Sequence, residues 1–294
     1  MRRSSSRFQR TIVRPAAIQG VGYITGVDVH LRFLPAPADT GVVFLRADLG
    51  PNASIPASIE RVTGTHRRTT LGTSPVCVTL VEHVLAALAG LRIDNCYVEL
   101  NAPEPPGLDG SALGFVRVLH EAGVVLQTAR RTIVSVGRKT VVSSNGASLA
   151  VYPDEDERDD LRFTYVLDYG LQASIGRQNH SVVLTPETFV AEIAECRTFL
   201  LEEEALELRR HGIGLRTRVT DLVVFGPRGP IDNRLRFANE PARHKILDLV
   251  GDLALLGHDL RGHVVAYRSG HPLNVELVRE LKSRLPQVQE SMAA

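Results

Sequence analysis

The chain has 294 residues, 44% hydrophobic and 23% charged, which is ordinary for a globular protein long enough to form two domains. Its 34 Lys and Arg are balanced by 33 Asp and Glu, with nine Phe, six Tyr and no Trp, which argues against a nucleic-acid binder needing a basic face and aromatic platforms. No apolar run reaches the roughly 18 residues of a transmembrane helix, and the opening MRRSSSRFQRTIVR lacks the apolar stretch of a signal peptide, so the chain reads as cytoplasmic.

In chain order, short apolar pieces at residues 23–34 and 42–46, separated by PAPADTG, predict strands of a β-hairpin region. Helix-length patterns follow at 78–91 and 111–122, with a strand at 95–100 between them. A polar, basic joint at 127–131 precedes a second series of strands at 132–142, 148–152 and 161–168. A domain boundary is expected there, giving units 1–128 and 129–294. The acidic segment PDEDERDD, 153–160, reads as a solvated hairpin loop rather than a metal site. Next come a helix at 186–193, a charged helix at 202–210 and a glycine-bearing loop at 212–214, which together form an insert around 190–222.

An internal echo links the halves. In the first, a helix containing His83 ends at Gly90, and a short strand, the loop NAPEPPGLDG and a helix from Ser111 follow. In the second, a helix from near His244 ends at Gly257, followed by a strand at 263–268, the loop SGHPLN and a helix over 273–285. The interval from His83 to Ala112 equals that from His244 to Leu273, which points to duplication. Two such α+β units, packed helix against helix with their sheets outermost, would set His83 near His244.

His244 and Asp248 stand four apart on a nearly apolar helix and so project side by side. Alone, the pair is weak evidence, since a local hydrogen bond on a half-buried helix explains it. His83, at the matching place of the other half, supplies a third donor, and three ligands with an open fourth position describe a catalytic zinc site. Glu82, beside His83 in a run with almost no other polar residue, is placed to take a proton from water that the ion acidifies. His271, unless merely exposed on its loop, could stabilise an oxyanion or protonate a leaving amine. Asp109 occupies the corresponding loop of the first half, where a carboxylate on that imidazole would keep it charged. Thr198 is a candidate oxyanion donor, weighed against an ordinary strand or turn threonine. Cys77, Cys96 and Cys196 show no CxxC spacing and read as reduced, mostly buried thiols.

The segments VEHVLAALAG (81–90), IDN (93–95), NAPE (101–104), LDGSA (108–112), RTF (197–199), RHKILD (243–248), GDL (251–253) and YRSGH (267–271) occur in one order along the chain. Together they resemble the zinc-dependent UDP-3-O-acyl-N-acetylglucosamine deacetylases of lipid A synthesis, over nearly the whole length. The resemblance implies an α+β fold of two related domains, each a β-sheet with two helices, packed with the helices sandwiched between the sheets. It implies a zinc ion on His83, His244 and Asp248, Glu82 as general base, Thr198 as oxyanion donor, His271 as a cation supported by Asp109, and Lys245 near a nucleotide diphosphate. The substrate implied is a UDP-sugar lipid, reached with at most transient contact to a membrane surface, and its N-acetyl group is hydrolysed to acetate and a free 2-amino sugar. The alternatives are a deacetylase of another N-acetyl sugar and a zinc-stabilised binding protein without turnover. Retention of Glu82 and His271 argues against the latter, because a structural zinc site needs neither.

Three departures stand out. Ile24 replaces a histidine of the family's N-terminal glycine-rich stretch, Leu200-Leu201 replace Gly-Phe after Phe199, and Arg216-Thr217-Arg218 replace a glycine pair. Leu201 in place of an aromatic is expected to weaken the hold on uracil, leaving Phe199 as the other candidate for nucleotide recognition.

Overall fold

The strand Asp28–Pro35 buries Val29, Leu31 and Phe33 and exposes the residues between them, as a sheet with one wet face requires. In the computed structural model, which describes residues 1–153, 160–170 and 173–285, it belongs to a five-stranded sheet. The order is Ala16–Val21, Asp28–Pro35, Cys96–Leu100, Val42–Arg46, Ser54–Pro56. Cys96–Leu100 thus separates the two strands expected to form a hairpin, running antiparallel to the first and parallel to the second. A parallel neighbour needs a long crossover, and the apolar helix between residues 46 and 96 supplies it while covering the sheet.

Six α-helices follow among the described residues: α1 (Glu82–Gly90), α2 (Leu113–Ala122), α3 (Pro186–Thr188, running into a π-helical turn Phe189–Ile193), α4 (Glu202–Arg210), α5 (Glu240–Ala254) and α6 (His271–Ser283). α2 covers Ala16–Val21, with Phe115 edge-on to Phe33 at 6.3 Å. α5 covers Leu161–Asp168 and Arg177–Val183, and α6 covers Thr140–Ser144 and Ala147–Tyr152. α1 packs against both α2 and α5 and is therefore buried nearly all round. α1, α2, α5 and α6 form the inside of an α+β sandwich and the sheets its two outer layers, whereas α4 has no buried residue. Where α1 meets α5, a Cβ on Gly251 would lie 2.0 Å from the Glu82 carbonyl oxygen, so this approach requires glycine. It brings the start of α1 level with His244 and Asp248.

The second sheet has seven strands, with Asp259–Tyr267 pairing to Val124–Ser135, Ala147–Tyr152 and Leu161–Asp168. Arg2–Ile12 joins this sheet, not the first, by pairing with Val124–Ser135. That strand runs unbroken through residues 127–131, read above as a joint. Thr128 and Arg130 face solvent, while Gln127 and Arg131 have partners within the protein. Gln127 donates to the Ala36 carbonyl at 2.9 Å, and Arg131 meets Asp259 at 3.2 Å. Arg7 completes the cluster, 2.7 Å from both Asp94 and Asp259.

A ribbon of Val62–Gly64, Thr70–Thr73 and Val76–Thr79 leads into α1, which begins at Glu82 rather than at residue 78. In the insert, Phe199–Leu201 pairs in parallel with Val223–Gly226, with α4 between them. Residues 154–159 of the acidic segment lie outside the described residues. Among the described residues, no helix is long and apolar enough to cross a membrane.

Candidate metal and active site

Asp248 Oδ1 lies 3.3 Å from His244 Nε2 and 3.5 Å from His83 Nε2. The two imidazoles are perpendicular, with centroids 5.1 Å apart, and one donor atom from each of the three residues lies within 4.8 Å of the others. A tetrahedron with bonds of about 2.1 Å has edges of about 3.4 Å, so this donor set fits a zinc-sized ion. It is the one such cluster among the described residues. His244 Nδ1 is 3.0 Å from the Cys196 carbonyl oxygen, which can only accept, so the proton sits on Nδ1 and the Nε2 lone pair faces the cluster. Burial lowers the pKa of His244 and outweighs the opposite pull of Asp248, so the ring is neutral, as a metal ligand would need to be. Burial would raise Asp248, but the Lys245 ammonium holds it below the usual carboxylate range. Lys245 Nζ takes Oδ2 at 2.7 Å and leaves Oδ1 to the histidines.

Glu82 opens α1 and is 2% exposed, with its Oε2 accepting the Thr69 N–H at 3.1 Å. Burial raises its pKa, against the pull of His271 and His83. His271 opens α6, and its Nε2 lies 3.9 Å from both Glu82 Oε1 and Asp248 Oδ2. Burial alone would lower this imidazole, but Asp252 and Glu82 outweigh it and push it up to about 9. The carboxylate on its Nδ1 is Asp252, at 2.8 Å, and not Asp109. Asp252 stands one turn beyond Asp248 on α5, on the same face. Asp109 is turned toward its own loop, 2.7 Å from both Ser111 Oγ and the Arg236 guanidinium, and these bonds hold its pKa down despite burial.

Thr198 and Phe199 reach the site through a buried clamp. Arg197 Nε donates to the Glu240 carboxylate at 2.8 Å, fixing residue 197 to the start of α5. The Thr198 N–H donates to the Gly110 carbonyl at 2.7 Å, where a Cβ on Gly110 would meet Thr198 Cγ2 at 3.0 Å. The Phe199 ring lies 6.3 Å from that of His244, between Tyr169 and Phe225. A cavity of about 860 Å³ is lined by Glu82, His83, Lys245, Asp248, His271 and Thr198, with His244 and Phe199. Sequence reasoning gave no role to Asp252 or Thr69, both fully buried, nor to Arg68 and Arg268, which line the cavity. The second four-residue step along α5, from 248 to 252, was the available signal for Asp252. Thr69 carries none.

Residues 9–283 match the sequence model of the UDP-3-O-acyl N-acetylglycosamine deacetylase family. The chain belongs to this family. A relative from Solibacter usitatus, named UDP-3-O-acyl-N-acetylglucosamine deacetylase, is 39% identical over 94% of this chain and 91% of its own length. Relatives of the same name from Nostoc sp. (40% identical, 93% of this chain, 98% of theirs) and Chlamydia abortus (39%, 94% and 97%) are as similar. The family is metal-dependent, and the present chain has a donor set to match.

Against that family background, the three departures have definite places. The Ile24 side chain lines the cavity, and its N–H is held 3.0 Å from the buried Glu104 carboxylate. Leu200 lines the cavity, but Leu201 does not: it packs on the core just before α4, its N–H donating to Glu204 at 2.9 Å. Leu201, expected beside the uracil, thus faces the core rather than the cavity. Arg216 ties the insert to the first half through the Gly26 carbonyl at 2.8 Å and Asp28 at 2.9 Å.

Proposed function

We propose that this chain hydrolyses the N-acetyl amide of UDP-3-O-acyl-N-acetylglucosamine, using a zinc ion held by His83, His244 and Asp248. The observation that carries the reading is the facing of Glu82 and His271, 3.9 Å apart, into the same cavity as the three metal-ligand candidates. When bound, the ion supplies Lewis-acid polarisation of the amide carbonyl and a lowered pKa for water. Glu82 Oε1, the oxygen not taken by Thr69, accepts the proton of the attacking water, and burial raises the affinity of the carboxylate for it. The new C–O bond forms on the carbonyl carbon, while the Thr198 hydroxyl and the His271 imidazolium face the developing negative charge. The C–N bond then breaks, and the leaving nitrogen takes its proton from His271 Nε2 or from Glu82. The products are acetate and a free 2-amino sugar. Lys245 and Arg268 give the cavity wall positive charge suited to a diphosphate.

The test is acetate release by the purified, zinc-loaded protein, with simpler N-acetyl sugars as controls. Turnover of the UDP-sugar lipid well above the controls is the expected result. Release from the simple sugars alone would assign the site to another substrate.

A further inference from the structure

Thr69 immediately precedes the strand Thr70–Thr73 and is wholly buried, so it does not line the cavity. It nevertheless touches both proton-handling groups. Its N–H holds Glu82 Oε2 at 3.1 Å, and its hydroxyl donates to Asp252 Oδ1 at 2.6 Å while lying 3.3 Å from His271 Nδ1. The other Asp252 oxygen, Oδ2, accepts from His271 Nδ1 and from Asn274 Nδ2, both at 2.8 Å. The carboxylate that orients His271 is thus gripped at both ends, and Thr69 is the grip on Oδ1. Without that hydroxyl, Oδ1 would be a buried charged oxygen without its close donor, a costly state relieved by rotation of the carboxylate. Rotation would carry Oδ2 away from the imidazole.

We propose that Thr69 is a positioning residue, which sets the base Glu82 and the imidazole His271 in register by bonding one directly and the other through Asp252. The inference rests on the deacetylase reading for its kinetic consequence, though not for its geometry. The outer hydrogen-bond partners of metal ligands are worth about 10- to 100-fold in affinity or activity, and Thr69 stands in the same relation to Glu82 and His271.

Thr69→Val keeps the shape and the backbone N–H but removes the hydroxyl, and Thr69→Ser keeps the hydroxyl. With zinc-loaded protein, the expected result is a kcat lower by about tenfold or more for Thr69→Val, with KM within about twofold and zinc content unchanged. Thr69→Ser should stay within about threefold of the parent. A Thr69→Val kcat within about twofold of the parent, or a loss that Thr69→Ser shares, overturns the proposal. If Thr69→Val does not fold, Thr69→Ala is compared with Thr69→Ser in the same way. A second readout needs no substrate: the ¹⁵N ring signals of His271, assigned with His271→Gln. They should be one sharp set in the parent and in Thr69→Ser, and broadened or doubled in the variant lacking the hydroxyl. Unchanged signals in that variant overturn the proposal. A parent that releases no acetate counts against the activity alone, and the ring signals still decide Thr69.

Discussion

His83 and Glu82 are adjacent on one turn of α1, and the proposed reading gives them separable tasks that substitution should part. His83→Ala and His244→Ala each remove a donor from a three-residue set, so bound zinc measured by elemental analysis should fall well below stoichiometric in both. Glu82→Gln keeps the size of the side chain and should retain the metal, while turnover drops by roughly a hundred- to ten-thousand-fold. Equal metal loss in all three variants would reassign Glu82 to the ligand set. The metal-ligand candidates were legible in the sequence because a four-residue step on a helix and its echo in the other half encode proximity directly. The partner of His271 was not, because symmetry between the halves pointed to Asp109. The structure spends Asp109 on Arg236 and Ser111 and draws Asp252 from the helix already carrying the metal-ligand candidates. Thr69 was beyond reach, since a threonine at a strand start looks the same whether its hydroxyl meets water or a carboxylate.

At the scale of elements, α1 and α5 must approach closely for Glu82 and His83 to share one cavity with His244, Lys245 and Asp248. Gly251→Ala should push them apart, because the added carbon meets backbone that cannot rotate away. Overpacking of this kind costs about 1 to 3 kcal/mol. A lower Tm together with weaker zinc retention is expected, and a variant with unchanged Tm and metal content would show that the helices can slide without cost. The helices and the central strands of both large sheets could be read from periodicity, a local property, whereas Arg2–Ile12, Ala16–Val21, the ribbon strands and Arg177–Val183 were not read. The pairing of Cys96–Leu100 between Asp28–Pro35 and Val42–Arg46 could not, because partner choice depends on the crossover through α1. The continuous strand Val124–Ser135 was likewise hidden, its charges having distant partners that no local pattern reveals.

At the scale of the molecule, the cluster of Arg7, Asp94, Arg131 and Asp259 joins segments from both halves. Burial would raise Asp259, but Arg131 and Arg7 hold its pKa below the ordinary value. A carboxylate depressed in this way stabilises the fold fully above its unfolded pKa of about 3.9 and loses that contribution as pH falls through the folded value. Asp259→Asn should therefore lower stability by about 1 kcal/mol at neutral pH. The gap in Tm between variant and parent should close as the pH drops below about 4, and a gap independent of pH would mean that the lost packing, not the charge, matters. The seven-stranded sheet carries one more consequence, for the order in which the protein is made. Asp259–Tyr267, the strand to which three others pair, follows all three along the chain. On the ribosome, those three strands emerge with unpaired edges and wait for a partner translated after them. Such edges attract other chains while they wait. The candidate ligands on α5 emerge just ahead of that strand, so completion of the donor set and closure of the sheet belong to the same moment of synthesis.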